Sequence, residues 1–218
     1  MRERIERYVQ QRTEMLAGVS HDLKTPLTRL RLQLAMMPKS TDSDAMLSDL
    51  TEMERMLNEY LDFARGESGE HMEVTDLSGL VEETVQDLRR ARDPSGTRLT
   101  SNVGGNVTLS LRRNAIKRYI ANLIDNALKY GRRVDVALNH TDHGIELAID
   151  DDGPGIPESR REEAFRPFHR LDEGRNLQAG GVGLGLAIAR DIARAHGGDI
   201  SLSQSPKGGL RAVLYLPV

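Results

Sequence analysis

Cysteine is missing altogether, which excludes disulfides and thiolate metal sites and fits a reducing compartment. No apolar run approaches the roughly 18 residues that a membrane-spanning helix needs, and no signal-peptide pattern opens the chain. Charge of one sign is also lacking: 30 Lys and Arg stand against 33 Asp and Glu, so there is no basic excess of the kind that holds nucleic acid. Two common phosphate-binding signatures are absent. No G-x-x-x-x-G-K-[ST] occurs, and the glycine-rich run Gly181-Val182-Gly183-Leu184-Gly185-Leu186 has a leucine where a dinucleotide fingerprint needs its last glycine. His140 and His143 fall on an expected turn with no third partner nearby, which reads as surface rather than zinc.

With 218 residues there is room for one ordinary domain and a smaller one. Apolar residues recur every seven positions from Val9 through Leu16, Leu23, Leu30 and Met37, flanked by Ile5, Val19, Leu27 and Leu34, the pattern of a coiled-coil seam. A second seam runs through Met46, Leu50, Met53, Leu57, Tyr60 and Ala64. Joined through residues 38–42, the two helices make an antiparallel hairpin, and Leu47 and Leu61 widen its stripe beyond what one hairpin covers. Two hairpins close a four-helix bundle, so a homodimer is expected; the competing arrangement packs the hairpin on its own C-terminal domain. The charged helical run from Arg2 to Arg12 lacks a cap, as though cut from a longer helix. Gly66-Glu67-Ser68-Gly69-Glu70 breaks the period, which sets the expected boundaries at 1–66 for the helical domain, 67–73 for a linker and 74–218 for a second domain.

From Val74 the pattern becomes α/β. Strands are expected over residues 98–103, 107–111, 134–139, 145–149, 199–204 and 210–216, and helices over 77–90, 114–130, a short stretch after Pro157, and 184–196. Two hairpins and interleaved helices predict a mixed sheet with helices on one face.

Chemistry concentrates in four places. His21 stands five residues after Leu16, so at about 100° per residue it lies roughly 140° from the seam, out in water. A neutral imidazole there has a free ring nitrogen, and Asp22 can accept from Nδ1 and turn Nε2 outward as a nucleophile. An isolated His-Asp pair of this kind is ordinarily just surface; its company decides. Pro26 cannot donate to the carbonyl of Asp22, which predicts a loosened helix there, and Thr25 lies one turn beyond His21 on the same face, where its hydroxyl can orient water. The second place is a helix face carrying Asn122, Asn126 and Lys129, suited to a metal-nucleotide because amide oxygens are hard ligands and lysine suits phosphate. The third is Asp150-Asp151-Asp152-Gly153-Pro154-Gly155, where a strand ends in acids and a glycine turn lets backbone approach a ligand. The fourth is the Gly180–Leu186 loop opening a helix, whose amides can cradle phosphate.

Taken in order, the histidine box, asparagine box, D-x-G-x-G, F-x-x-F and G-x-G-L-G-L resemble bacterial sensor histidine kinases across nearly the whole chain. The wording of residues 17–28, 151–156 and 165–168 is most similar to the osmosensing EnvZ type. The resemblance implies an α plus α/β architecture: a dimeric four-helix bundle for dimerisation and phosphoacceptance, then a Bergerat-type α/β sandwich that binds ATP. It implies that His21 is phosphorylated, that Asp22 is the acid assisting that step, and that Thr25 serves dephosphorylation of the partner. Asn126 would contact Mg²⁺, Asn122 and Lys129 the phosphates, Tyr130 the nucleoside, and Asp151 the adenine amino group, with Gly153 and Gly155 admitting the base. Phe165, Phe168 and Arg170 would lead into the ATP lid, Arg170 as a phosphate contact; Gly181, Gly183, Leu184 and Gly185 would line the triphosphate. Gly208-Gly209 resembles the late glycine pair between the last strands. Val182 departs from the family, in which Thr or Ser is common.

Hydrolysing ATPases of the gyrase, chaperone and mismatch-repair type share that fold, but they place a glutamate base where this chain has Asn122, so γ-phosphoryl is kept for the histidine. A scaffold that only binds ATP would have a damaged nucleophile or metal site, and an anti-sigma-type serine kinase would lack the two-helix module. The expected partners are a second copy and a response regulator receiver domain, with no nucleic acid. Membrane attachment is expected only through upstream segments that this sequence does not include, placing the chain on the cytoplasmic side of a bacterial inner membrane.

Overall fold

The computed structural model of the protein describes residues 23–38, 40–65, 70–93, 98–141, 144–169 and 183–218. The chain forms two compact units, one helical and one of mixed α and β structure. In the first, helix α1 is described over residues 23–36 and α2 runs Thr41–Arg65. The start of α2 is fixed by a reciprocal capping box. Ser43 N–H donates to Ser40 Oγ at 3.1 Å and Ser40 N–H donates to Ser43 Oγ at 2.8 Å, so two amides that a helix leaves without partners are satisfied. Arg31 and Glu54 join the two helices through an ion pair of 3.1 Å.

Within one chain the expected seam of α1 is left open. Leu27 and Leu34 are half-buried, whereas Leu23, Leu30 and Met37 are about half exposed, as are Met46 and Met53; Leu50 is buried. Within one chain the 27/34 side of α1 turns inward, and the heptad positions 23, 30 and 37 stay open. Two helices enclose only one side of a stripe this wide.

The second unit has a layer of three helices on a five-stranded sheet. Its elements are β1 (Glu73–Asp76), α3 (Leu77–Arg92), β2 (Leu99–Val103), β3 (Thr108–Leu111), α4 (Arg113–Tyr130), β4 (Val134–Thr141), β5 (Gly144–Asp151), α5 (Gly185–Ala195), β6 (Asp199–Gln204) and β7 (Leu210–Leu216). The sheet order is β2-β4-β5-β7-β6, with β2 parallel to β4 and all other pairs antiparallel. Alternation explains it: Val134, Val136 and Leu138 of β4 and Ala212, Leu214 and Leu216 of β7 face the core while their neighbours do not. Helix α3 lies on β2, α4 on β5 and α5 on β6, each by an apolar stripe at helical spacing.

Three departures from the sequence pattern have local causes. Strand β1 was not expected; only Thr75 of its four residues is buried, and it forms by pairing with β3 in a separate two-stranded sheet. The short helix after Pro157 is instead two 3₁₀ turns, Glu158–Arg160 and Glu163–Phe165, held by bonds such as Arg160 N to Pro157 O at 2.9 Å. So short a polar segment does not support the cost of nucleating an α-helix. Strands β4 and β5 each extend two residues beyond their expected ends because pairing carries both to the hairpin and to the acids.

Helix α4 begins badly and is rescued from outside. Arg112 at its N-cap makes no side-chain cap bond and its first turn has no acid. Glu70 accepts from Asn114 N at 2.6 Å and Ala115 N at 3.0 Å, and His196 Nε2 accepts from Arg112 N at 3.0 Å. The other ring nitrogen of His196 donates to Ile192 O at 2.7 Å, so the ring is held neutral with its proton on Nδ1. Burial, with Arg112 adding to it, holds the His196 pKa below its ordinary value against the opposing pull of the Ile192 carbonyl and Glu70.

A histidine whose folded pKa is depressed stabilises the fold above its unfolded pKa and loses that contribution as pH falls. Stability of the second unit should therefore decline between about pH 7 and pH 5, and His196→Gln should flatten that slope in thermal melts run across the window.

Candidate functional site

The helical spacing of α4 decides which residues face away from the core. Ile116, Tyr119, Ile120, Leu123, Ile124 and Ala127 are buried, which leaves Asn122, Asn126 and Lys129 half-buried along the opposite edge. Among the described residues neither asparagine amide has a hydrogen-bond partner within the protein. Tyr130 ends the helix, with Lys129 Nζ 5.0 Å from its ring centre, close enough for a cation–π contact.

The three acids at the end of β5 have separate jobs. Asp150 lies 3.7 Å from Arg211. Asp152 Oδ1 accepts from Arg132 N at 2.6 Å and Arg133 N at 2.8 Å, clamping the chain that leaves α4, and these amides hold its carboxyl below the ordinary range. Asp151 points into the glycine turns: its Oδ1 accepts from Gly153 N at 2.8 Å and Leu210 N at 3.0 Å. It is 5% exposed, and burial pushes its pKa up despite those two donors. Among the described residues no donor reaches its second oxygen.

Backbone closes around that carboxylate as only glycine allows. A Cβ on Gly209 would overlap Asp151 Oδ1 and the Gly153 amide, and Gly155 runs alongside Gly209. A Cβ on Gly153 would lie 2.9 Å from Tyr130 O, so the end of α4 abuts the same turn. The structure thus brings together Tyr130, Asp151, Gly153 and Gly155, and adds Gly209 and Leu210 to them. The importance of Asp152 and of the Leu210 amide had no sequence signal beyond the acid cluster itself.

The F-x-x-F segment is fastened to α5. Phe165 is buried under the guanidinium of Arg190, 4.3 Å from its ring centre, while Arg190 forms a two-pronged pair with Glu162 at 2.8 and 3.1 Å and lies 3.6 Å from Asp199. Arg190 pulls the Glu162 carboxyl below its ordinary value. Phe168 is exposed with a positive φ of 63°. Gly183 has a φ of +75°, a left-handed conformation that favours glycine; Leu184 is fully buried; and a Cβ on Gly185 at the start of α5 would meet nothing within 4 Å. Among the described residues no packing demand requires glycine at 185. Thr25 is exposed on α1. His21, Asp22, Arg170 and Gly181 lie outside the described residues.

Residues 111–218 match the family described as "Histidine kinase-, DNA gyrase B-, and HSP90-like ATPase", and residues 11–69 match the "His Kinase A (phospho-acceptor) domain". The chain belongs to the sensor histidine kinase family. It is 38% identical to the sensor histidine kinase GtrS of Pseudomonas aeruginosa, over 100% of this chain and 44% of GtrS. The solved histidine kinase domain of the E. coli osmosensor EnvZ is 32% identical, with a TM-score of 0.51 over 68% of this chain and 89% of that one. The ATP binding domain of PrrB from Mycobacterium tuberculosis is 29% identical, with a TM-score of 0.56 over 68% of this chain and 97% of that one. The chain spans about half the length of the curated relatives it matches.

Two substitutions separate charge from shape around Asp151. Asp151→Asn keeps an oxygen for the Gly153 and Leu210 amides and relieves a buried charge, so it should melt at or above the unsubstituted protein at pH 7. Gly209→Ala forces backbone apart and should cost about 1–3 kcal/mol in a denaturant titration.

Proposed function

We propose that this chain is the ATP-dependent kinase core of a two-component system, with residues 1–66 as the dimerisation and phosphoacceptor domain, 67–73 as linker and 74–218 as the ATP-binding domain. The observation that carries the reading is Asp151: a carboxylate buried at a cost, with one oxygen committed to backbone amides, beside an α4 face of uncommitted amides. A buried charge is retained where a ligand repays it. Its second oxygen would accept from the adenine amino group, Gly153 and Gly155 would let the base approach, and Tyr130 would cover the nucleoside. Asn122 and Lys129 would contact phosphate, with Arg170, Gly181, Gly183, Leu184 and Gly185 along the triphosphate and Phe165 and Phe168 at the base of its lid.

The residues present fit a nucleotide-bound magnesium ion. The half-buried amide of Asn126 offers a hard neutral oxygen, which suits an ion held mainly by phosphates and water. Asn126 would help hold such an ion, whose charge would offset that of the phosphates. His21 Nε2 would attack the γ-phosphorus as the bond to the ADP oxygen breaks, with Asp22 holding the proton on Nδ1 and stabilising the imidazolium that forms. Asn122 cannot deprotonate water as a carboxylate would, which favours transfer over hydrolysis.

The phosphoryl group would pass from His21 to an aspartate of a response regulator receiver domain. Thr25 shares an exposed face with Lys24, Thr28, Arg29 and Leu32, basic enough to meet an acidic partner, and its hydroxyl would orient water for dephosphorylating that aspartate. The open Leu23, Leu30, Met37, Met46 and Met53 side chains support a homodimer closed by a second hairpin. Attachment to a bacterial inner membrane would come through segments outside this sequence.

Incubation with ³²P-ATP should label the protein, and His21→Gln should abolish the label; labelling of His21→Gln would overturn the assignment. Asp151→Asn should weaken ATP binding by roughly ten- to a hundred-and-fifty-fold, the worth of a charge-assisted hydrogen bond of about 1.5 to 3 kcal/mol, measured by titration calorimetry. Thr25→Ala should retain autophosphorylation and lose most dephosphorylation of the regulator, both assayed on one preparation.

A further inference from the structure

Helix α4 carries the amides and the lysine assigned to the nucleotide, yet nothing in its own sequence caps its start. Its N-cap is Arg112, Arg113 follows, and no acid stands in the first turn. Two positive side chains at the positive end of a helix dipole, with first-turn amides that have no partner inside the helix, make an unfavourable terminus, which the pairing of Arg113 with Glu83 at 2.5 Å relieves only in part. The correction comes from Glu70, five residues beyond Arg65, the last residue of α2. Its two carboxylate oxygens take the Asn114 and Ala115 amides separately, at 2.6 and 3.0 Å, a two-pronged cap delivered from 44 and 45 residues away. His196, just past the end of α5, takes the Arg112 amide beside it.

We propose that Glu70 is a positioning residue for nucleotide binding: its carboxylate, delivered by the chain that leaves α2, seats the N-terminus of α4 and through that helix fixes Asn122, Asn126 and Lys129. The physical basis is that an α-helix moves as a rigid rod, at about 1.5 Å per residue, so Asn126 stands roughly 16 Å from the Ala115 amide along one axis. A shift or tilt permitted at the first turn is carried to the polar face. The sides of the rod are held on α3 by Arg113, which pairs with Glu83 at 2.5 Å, and by Lys117, which pairs with Glu83 at 2.6 Å and Asp87 at 3.1 Å. Glu70, with His196 beside it, fixes the helix along its axis at the N-terminal end. A carboxylate in the segment that precedes β1 thus acts directly on the nucleotide helix.

This proposal rests on the nucleotide reading above. The test compares full-length chains carrying Glu70→Ala, Glu70→Gln or Leu99→Ala at a temperature where each is folded, measuring the affinity for AMPPNP with Mg²⁺ and amide hydrogen exchange in α4. Glu70→Ala should lose roughly three- to tenfold in affinity, within what an N-cap is worth, and exchange faster at Asn114 and Ala115. Glu70→Gln keeps one accepting oxygen and should recover part of the loss. Leu99→Ala removes buried volume from edge strand β2 and should lower the melting temperature while leaving affinity within twofold. Equal affinities for Glu70→Ala and the unsubstituted chain, or a loss in Leu99→Ala matching that in Glu70→Ala, would overturn the positioning role. Failure of the unsubstituted chain to bind AMPPNP would overturn the nucleotide reading and this proposal with it.

Discussion

The two ends of α4 are the constraint on which the site depends. A helix leaves its first amides and last carbonyls without internal partners, and burying such groups unpaired is costly. Here Glu70 and His196 satisfy the amides at the start. At the other end the guanidinium of Arg98 donates to Leu128 O at 2.9 Å, Gly131 O at 3.0 Å and Arg132 O at 3.1 Å, and Arg98 is itself held by Asp93. Asp152 then fixes the next two amides. A helix held at both ends by remote side chains has little freedom to slide, and the residues on its outer edge inherit that precision.

The chemistry at the end of β5 runs the other way, placing a carboxylate where burial opposes its charge. Asp151 is a carboxylate whose burial raises its pKa, so the folded protein works against its ionisation. Two backbone amides soften that cost without removing it. Adjacent Asp152, half-buried and served by three amides, shifts in the opposite direction. Neighbouring identical residues thus divide into one buried with a single oxygen committed to backbone and one whose carboxylate clamps the chain leaving α4.

Arg190 gives α5 a comparable role on the far flank. By lying on Phe165 and pairing with Glu162, it ties the segment before residue 170 to the helix that begins at Gly185. Both flanks of the intervening stretch are thereby referred to one rigid element.

Periodicity in the sequence determined most elements, since alternation at two and recurrence near 3.6 are properties of neighbouring residues; β6 and β7 begin and end where the pattern places them. It also determined the face shared by Asn122, Asn126 and Lys129, the exposure of Thr25, and the glycine turn after Asp151. Tertiary structure alone decided that Leu27 and Leu34, rather than the 23/30/37 seam, turn inward within one chain, and that β1 exists at all. It alone decided that Glu70 caps α4, that Gly209 must be bare because Asp151 Oδ1 and Gly153 N occupy its Cβ position, and that three consecutive acids take separate sets of partners. The reason is distance along the chain. A local pattern fixes what a segment becomes, but hydrogen bonds such as Arg112 to His196, 84 residues apart, exist only once the sheet has closed and brought both ends to one place.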